Sequence, residues 1–254
     1  PPQTGEGGII GKNGMVGHTP PSHPIFAGSH PTAGMPYAFL LDVAGQDEKR
    51  MKPNDEEPLT NPGRDSTVLT IVEVDMSSVE SLGKPTYRVR WRVRWTGLNH
   101  LAIFGQIKAL AETWKPMKVV VDATGVGEGL WALLDRAMPT RVIPVKYSQK
   151  EKSEIGWQFL AIIGSGRFRD SNPTDEVREQ YAACQAEILP GIGKVMRWGV
   201  PEGTRSSQGN LVHDDFVTAD ALTAVLEREE WYGPMKSTFV KPLVDPREGW
   251  EGRF

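Results

Sequence analysis

The sequence is short of the features that mark several large classes of protein. Its one cysteine, Cys184, excludes an internal disulfide framework and a cysteine-based zinc site, and this scarcity fits a reducing compartment. No apolar run approaches the ~20 residues of a membrane-spanning helix, and no signal segment opens the sequence. The formal net charge of -3 gives no global excess of positive charge. A nucleic-acid partner would therefore need a local basic surface.

An intact phosphate loop of the kind found in ATPase motors is also missing. The stretch GEGGIIGKN lacks the spacing G-x-x-x-x-G-K-[ST], and Asn13 stands where a serine or threonine would bind magnesium. Neither a Ser-His-Asp nor a Cys-His arrangement for nucleophilic catalysis is evident. Because the sequence begins with Pro1 and not with methionine, we expect a fragment whose N-terminal neighbour has been removed.

The organisation along the chain predicts one domain between two appendages. Residues 1–36 are crowded with glycine, proline, histidine and serine, which predicts a flexible extension or linker. Residues 37–228 carry strand and helix patterns, and residues 229–254 form a tail without a clear period. A long surface loop is predicted before residue 65, where prolines interrupt a polar stretch.

Strand patterns dominate the first part of the domain. The predicted strands are YAFLLD, STVLTIVEV, YRVRWRVRW, MKVVVD and RVIPVKY, with GKVMRWGV as a late addition. In YRVRWRVRW, aromatic residues and valines alternate with arginines. This alternation predicts one apolar face and one cationic face.

Helix patterns follow the third strand and then alternate with strands. The predicted helices are 99–113, the segment after the glycine turn in GVGEGLWALLDRA, SEIGWQFLAIIGSG, TDEVREQYAACQAEI, and 213–228. The turn in DATGVGEG could cradle a phosphate or could be a tight strand-to-helix connection. The order of elements indicates an α/β fold with a central mixed five-stranded sheet, its first three strands antiparallel, flanked by helices and with extra elements near the C-terminus.

Carboxylates stand at the ends of these elements. Asp42 ends the first strand, Asp122 ends the fourth, and Asp214 and Asp215 open the last helix. In such a sheet the first and fourth strands can be neighbours, which would bring the acids together. Clustered carboxylates need a compensating cation, and oxygen ligands select ions such as Mg²⁺ or Mn²⁺. The alternative is that each acid is only a turn former or a helix cap.

Five motifs in this order resemble a known family. They are LLDVAGQDE, DSTVLTIVEVD, VVVDATGVGEGLWALLDRA, KSEIGWQFLAIIGSGRF and HDDFVTADALTAVL. Together they resemble the nuclease domain of the large terminase subunit of tailed bacteriophages, which has an RNase H-like (RuvC-like) fold. The resemblance implies Asp42, Asp122 and Asp215 as ligands of two Mg²⁺ or Mn²⁺ ions, Asp214 as an auxiliary acid, and double-stranded DNA as the substrate during genome packaging.

The same resemblance implies partners and a location. The partners would be the terminase ATPase domain, the small terminase subunit and the portal, and the location would be the host cytoplasm without retention in the virion.

Two ions about 4 Å apart can activate a water and stabilise the leaving oxygen of a phosphodiester, so no protein nucleophile is needed.

Helical geometry separates the acids of the last helix. A rotation of about 100° per residue groups its apolar residues on one side, which must face the sheet. Asp215 lies near the centre of that side, Asp214 lies on its flank, and Asp220 lies opposite. We therefore expect Asp215 to be a direct ligand and Asp220 to have no role. His213 is expected to orient the acidic pair or to contact DNA.

A local basic stripe is the candidate DNA surface. Between Lys84 and Lys118 the chain has eight lysines and arginines and a single acid, Glu112. The predicted DNA contacts are Arg88, Arg90, Arg92, Arg94, Lys150, Lys152 and His213. They are expected to meet the DNA backbone, so that cleavage is nearly independent of sequence. The alternative is a solvated sheet face that charge protects from edge pairing.

Three other functions fit part of the pattern. A Holliday-junction resolvase or integrase-like nuclease of the same superfamily would share the acids and the basic stripe. An actin-like or sugar-kinase-like ATPase would need hydroxyl-bearing phosphate turns, which DVAGQ lacks. A DNA-binding scaffold without activity would have no use for the acids.

Overall fold

A computed structural model describes residues 30–46, 64–191 and 193–231, which form a mixed α/β structure around a central sheet. The strands of this sheet are β1 (Tyr37–Asp42), β2 (Ser66–Asp75), β3 (Thr86–Thr96), β4 (Lys118–Asp122), β5 (Val142–Val145) and β6 (Phe168–Arg169). Their spatial order is β5-β4-β1-β2-β3-β6. β2 is antiparallel to β1 and β3, whereas β4 joins β1, β5 joins β4 and β6 joins β3 in parallel.

The predicted fold class is confirmed, with one more strand in the central sheet than the sequence indicated. The sixth strand, β6, has two residues, which is too short to give a periodic signal. A separate antiparallel pair is formed by β7 (Gln185–Ile188) and β8 (Met196–Gly199).

Helices cover both faces of the central sheet. They are α1 (Val79–Leu82), α2 (His100–Trp114), α3 (Gly127–Ala137), α4 (Gln149–Gly164), α5 (Asp175–Ala183), α6 (Asp215–Ala221) and α7 (Thr223–Leu226). On one face, α2 and α3 pack against Phe39, Leu41 and their neighbours. On the other face, α4, α6 and α7 pack against Ala38 and Leu40. Because both faces are covered, the central strands are almost continuously apolar.

The segment TDEVREQYAACQAEI, predicted as one helix, is part helix and part strand. α5 ends at Ala183, and Cys184 adopts an extended conformation with φ -66° and ψ 129°. The following residues pair with β8, in the register Gln185 to Gly199. This pairing partner lies outside the window in which helical periodicity is judged, so the local pattern did not reveal it.

The regular alternation predicted for the third strand is broken by a bulge in β3. Ile71 pairs with Trp91 but Val72 pairs with Val89, so Arg90 is an extra residue with no partner on β2. The bulge turns Tyr87 and Val89 toward the layer of α4, α6 and α7, and Trp91, Val93 and Trp95 toward the layer of α2 and α3. The prediction of one apolar face and one cationic face is therefore wrong.

The last predicted helix is two short helices buried on every side. α6 and α7 are separated at Leu222, and all residues of both helices are buried. β1 and β2 lie on one side of α6, while α4 and α5 cover other sides. The expectation that Asp220 faces away from the protein interior is wrong, because its side chain is 0% exposed and bonds to Thr70 of β2 and Arg92 of β3.

Several predictions fall outside the described residues. Most of the predicted extension at 1–36 and of the tail at 229–254 lies there, as does the loop expected before residue 65 at positions 47–63. The division of the chain into extension, domain and tail stays a prediction. Within the ranges that the structure covers, no helix has the length and apolarity that a membrane crossing requires.

Candidate active site

Two acids leave the sheet side by side at the ends of β1 and β4. Leu41 pairs with Val121 in parallel register, so the next residues, Asp42 and Asp122, emerge from adjacent strands at the same edge. The prediction that the first and fourth strands can be neighbours is confirmed. After Asp122 the chain turns sharply, and the backbone N–H of Thr124 donates to Asp122 Oδ1 at 2.8 Å.

Gly127 allows α3 to begin almost against the end of β4. A Cβ at this position would lie 2.1 Å from the carbonyl oxygen of Asp122, so a side chain would push the helix away from the strand. Gly125, in the same turn, has φ +54°. Gly125 and Gly127 thus serve a tight connection that fixes the place of Asp122.

The start of α6 brings Asp214 and Asp215 to this edge, but their side chains face different elements. Asp215 is 5% exposed, and its Oδ2 accepts a hydrogen bond of 3.0 Å from the backbone N–H of Ser66 at the start of β2. Asp214 Oδ2 lies beside Gly199 of β8, 2.5 Å from where a Cβ would stand. The Asp214 side chain makes no capping hydrogen bond to α6, so capping does not explain its presence.

The electrostatics of the acids show that they converge. Loss of solvent and the charges of Asp215, Asp122 and Asp214 hold the pKa of Asp42 well above its usual range. Burial raises the pKa of Asp122, although its hydrogen bonds with Thr124 oppose the change. Burial also raises the pKa of Asp215 to about 7. These carboxyl groups are together at a place that disfavours their negative charge.

Asp65 and His213 extend the acidic cluster toward the surface. His213 Nδ1 lies 2.7 Å from Asp65 Oδ1, and the ligand atoms of Asp65, His213 and Asp215 lie within 4.8 Å of one another. Asp65 was not predicted as a site residue from the sequence. Its position just before β2 was a usable signal. Because β2 is antiparallel to β1, the start of β2 lies beside the end of β1, where Asp42 stands.

Lys152 supplies positive charge to the cluster. This residue of α4 lowers the pKa values of Asp42 and Asp122, and its Nζ lies 4.9 Å from the centroid of the Trp198 ring. Lys152 and Asp214 also line an open groove with residues of β7 and β8. Lys150, by contrast, is exposed and pairs with Glu154 at 3.8 Å.

Tyr147 is a second residue near the acids that was not predicted from the sequence. Its hydroxyl is buried and has no hydrogen-bond partner among the described residues. Burial, followed by the charges of Asp42, Asp122 and Asp214, raises its pKa well above the usual range. Its position just after β5 could have indicated this location, because β5 runs parallel to β4 and ends at the same edge of the sheet as Asp122.

The four arginines of β3 are all in ion pairs. Arg88 pairs with Asp75 and Arg90 with Glu73 on the α2 side of the bulge, whereas Arg92 pairs with Asp170 and Asp220 and Arg94 with Glu176 on the α6 side. The Arg92 side chain is only 11% exposed, which makes it an interior residue and not part of a DNA-facing surface. Contact of Arg88, Arg90 and Arg94 with DNA stays a prediction.

Comparisons with known proteins agree with this architecture. The family model described as terminase RNase H-like domain matches residues 62–227. The large terminase nuclease from thermophilic phage G20c with bound magnesium has a TM-score of 0.54 and 16% identity, over 77% of this chain and 84% of that chain. The same nuclease with bound cobalt has a TM-score of 0.51 and 17% identity, over 77% of this chain and 84% of that chain.

The large terminase nuclease domain of Thermus phage P74-26 has a TM-score of 0.51 and 14% identity, over 79% of this chain and 84% of that chain. At these identities the structures show likeness of fold alone. No curated protein sequence matches the chain significantly. The resemblance inferred from the motifs is nevertheless confirmed by the family model, and the chain belongs to the terminase RNase H-like domain family.

Proposed function

We propose that this domain is a metal-dependent endonuclease that cuts double-stranded DNA, with little sequence preference, during viral genome packaging. The observation that carries the proposal is the convergence of Asp42, Asp122, Asp214 and Asp215 at one edge of the sheet. Family membership favours a nuclease over an actin-like ATPase. The family match begins after Asp42, so the role of this residue rests on geometry.

The acidic cluster fits divalent cations. Its groups are oxygen donors, and buried carboxylates that raise one another's pKa gain most from added positive charge. We assign Asp42, Asp122 and Asp215 as ligands of two Mg²⁺ or Mn²⁺ ions and Asp214 as the auxiliary acid. The G20c nuclease structures with bound magnesium and bound cobalt support a divalent metal.

Asp65 and His213 would adjoin the metal site. Their ligand atoms lie close to that of Asp215, and an imidazole nitrogen is a ligand for transition-metal ions and not for Mg²⁺. His213 is therefore placed to affect which metal supports cleavage. This role is compatible with the earlier expectation that His213 orients the acidic pair.

The bound ions would supply Lewis acidity and an activated water for phosphodiester hydrolysis. The protein's own groups orient the ligands, since Ser66 holds Asp215 and Thr124 holds Asp122. Lys152 stands in the groove beside Asp214, where its charge can attract a phosphate. Double-stranded DNA is thus the proposed partner at the site, with the ATPase motor, the small terminase subunit and the portal as further partners in the host cytoplasm.

A plasmid assay tests the proposed function. Supercoiled DNA incubated with the protein and Mn²⁺ or Mg²⁺ should be nicked and then linearised, and EDTA should stop the reaction. Asp42→Asn and Asp122→Asn should each abolish cleavage, because each removes a proposed ligand. Asp135→Asn, at an exposed acid on α3, is the matched control and should cut normally.

Undiminished cutting in EDTA would contradict the metal-dependent mechanism. A four-way DNA junction, tested beside linear duplex, separates the proposal from the resolvase alternative. A strong preference for the junction would favour the resolvase.

A further inference from the structure

A buried polar cluster holds α6 near its C-terminal end. We name it the Asp220 cluster, and its members are Asp220, Arg92, Thr70, Tyr181 and Asp170. Asp220 Oδ1 accepts from the Thr70 hydroxyl at 2.7 Å, and Oδ2 accepts from Arg92 Nη2 at 2.6 Å and from the Tyr181 hydroxyl at 2.9 Å. Arg92 also pairs with Asp170. The proposed hydrolysis uses none of these groups directly.

Stability alone does not account for this cluster. Burial opposes the charge of Arg92, although Asp220 and Asp170 more than offset it and raise the Arg92 pKa. Replacing a buried ion pair with apolar side chains of similar volume is often neutral or stabilising. The neighbourhood is already apolar, with Phe216, Ala219 and Val177 packed together. An ion pair in this setting fixes the relative orientation of the groups that it joins, which apolar packing does not.

The donors to Asp220 come from three different elements, β2, β3 and α5. Apolar contacts alone would let a helix as short as α6 rotate or slide by part of a turn, whereas hydrogen bonds from three sides fix both motions. Gln180 of α5 adds a fourth attachment, because its side-chain oxygen accepts from the backbone N–H of Phe216 at 2.8 Å.

Rotation of α6 would displace the acids at its start. Asp215 depends on its position to meet Ser66 and to lie near Asp42. A shift of one residue along the helix is about 1.5 Å, which is enough to spoil metal coordination or catalytic geometry. The orientation of α6 is therefore a requirement of the proposed site.

We propose that Asp220 is a positioning residue: through Arg92 and Thr70 it fixes the rotation of α6 that presents Asp214 and Asp215 to Asp42 and Asp122. The proposal rests on the proposed nuclease function, since it assigns the ligands there. It replaces the sequence-based expectation that Asp220 has no role.

A double replacement separates positioning from folding. Arg92→Met with Asp220→Leu removes the ion pair and puts apolar side chains of similar length and branching in its place. The control is Arg167→Met with Glu227→Leu, because this pair is similarly buried, with side chains 10% and 15% exposed, but lies beyond α7. The first readout is the Mn²⁺ concentration that gives half of the maximal rise in melting temperature.

We expect the Asp220-cluster double variant to need about 10- to 100-fold more Mn²⁺ and to lose cleavage to a similar degree. The control should match the wild-type midpoint. A double variant that equals the wild type in both readouts would overturn the proposal.

Thr70→Val provides a milder test if the double variant does not fold. It removes one hydrogen bond to Asp220 and leaves the ion pair with Arg92 in place. A smaller but measurable rise in the Mn²⁺ midpoint is expected, and an unchanged midpoint would count against the proposal.

Hydrogen exchange in metal-free protein distinguishes this inference from the nuclease proposal. The amides of α6 should exchange faster in the double variant than in the control, whether or not the wild type cuts DNA. If exchange is faster in the double variant but the wild type neither cuts DNA nor responds to metal, the nuclease proposal is rejected. The Asp220 cluster would then position α6 without a role in catalysis. Unchanged exchange with an active wild type would reject only the positioning role.

Discussion

Asp42 and Asp122 stand at the ends of neighbouring sheet strands, whereas Asp214 and Asp215 stand at the start of a helix of seven residues. Backbone pairing on both sides holds β1, and parallel pairing holds β4. Side chains such as Asp220 and Gln180 hold α6. The strand acids therefore depend little on individual neighbours, while the helix acids depend on a few polar contacts.

The sharpest test within the helix compares its two acids. Asp215→Ala should eliminate cleavage, because Asp215 faces the sheet and has the largest charge effect on Asp42. Asp214→Ala should impair cleavage less or shift its metal requirement, since Asp214 faces Gly199. Initial rates with Mn²⁺ and with Mg²⁺ measure both effects. A more damaging change at Asp214 than at Asp215 would reverse the assignment of direct ligand and auxiliary acid.

The arginines of β3 extend the comparison to stability. Arg92→Ala leaves Asp220 buried without its cation and should lower the free energy of unfolding by about 3–5 kcal/mol. Arg88→Ala breaks a pair whose arginine is 43% exposed, and the loss should be about 0–1 kcal/mol. Denaturant unfolding of both variants measures the difference. Equal losses would show that the bulge does not separate an interior arginine from a surface one.

The pH dependence of the metal-free protein tests the helix acid Asp215 without any substrate. Burial, with the charges of Asp65 and Asp214, raises the pKa of Asp215 from 3.8 to about 7. Between these values the folded protein retains a proton that the unfolded chain releases, so stability falls as the pH rises through this window. Melting temperatures in EDTA from about pH 4 to about pH 7.5 should decrease, and Asp215→Asn should flatten the curve. A melting temperature that climbs over this interval would contradict the burial of a repelled carboxylate.

The sequence was sufficient to predict the parts of the site that depend on local pattern. The apolar runs before Asp42 and Asp122 marked strand ends, and the order of strands brought them together. It could not predict the surroundings of Asp220, because its partners lie on β2, β3 and α5, far away in the sequence, and the periodicity of a single helix does not report them. Asp65 was missed because a single acid before a strand has no period, although its position just before β2 was informative.

The extra residue in β3 distributes the arginines of a repetitive sequence over both faces of the sheet. In a regular strand, all four arginines of YRVRWRVRW would enter the same layer of the protein. Because of the extra residue Arg90, two arginines face each layer. On one side they pair with Asp75 and Glu73, and on the other with Asp220 and Glu176. The pairing of every arginine with an acid thus depends on an irregularity of the backbone and not on the composition of the strand alone.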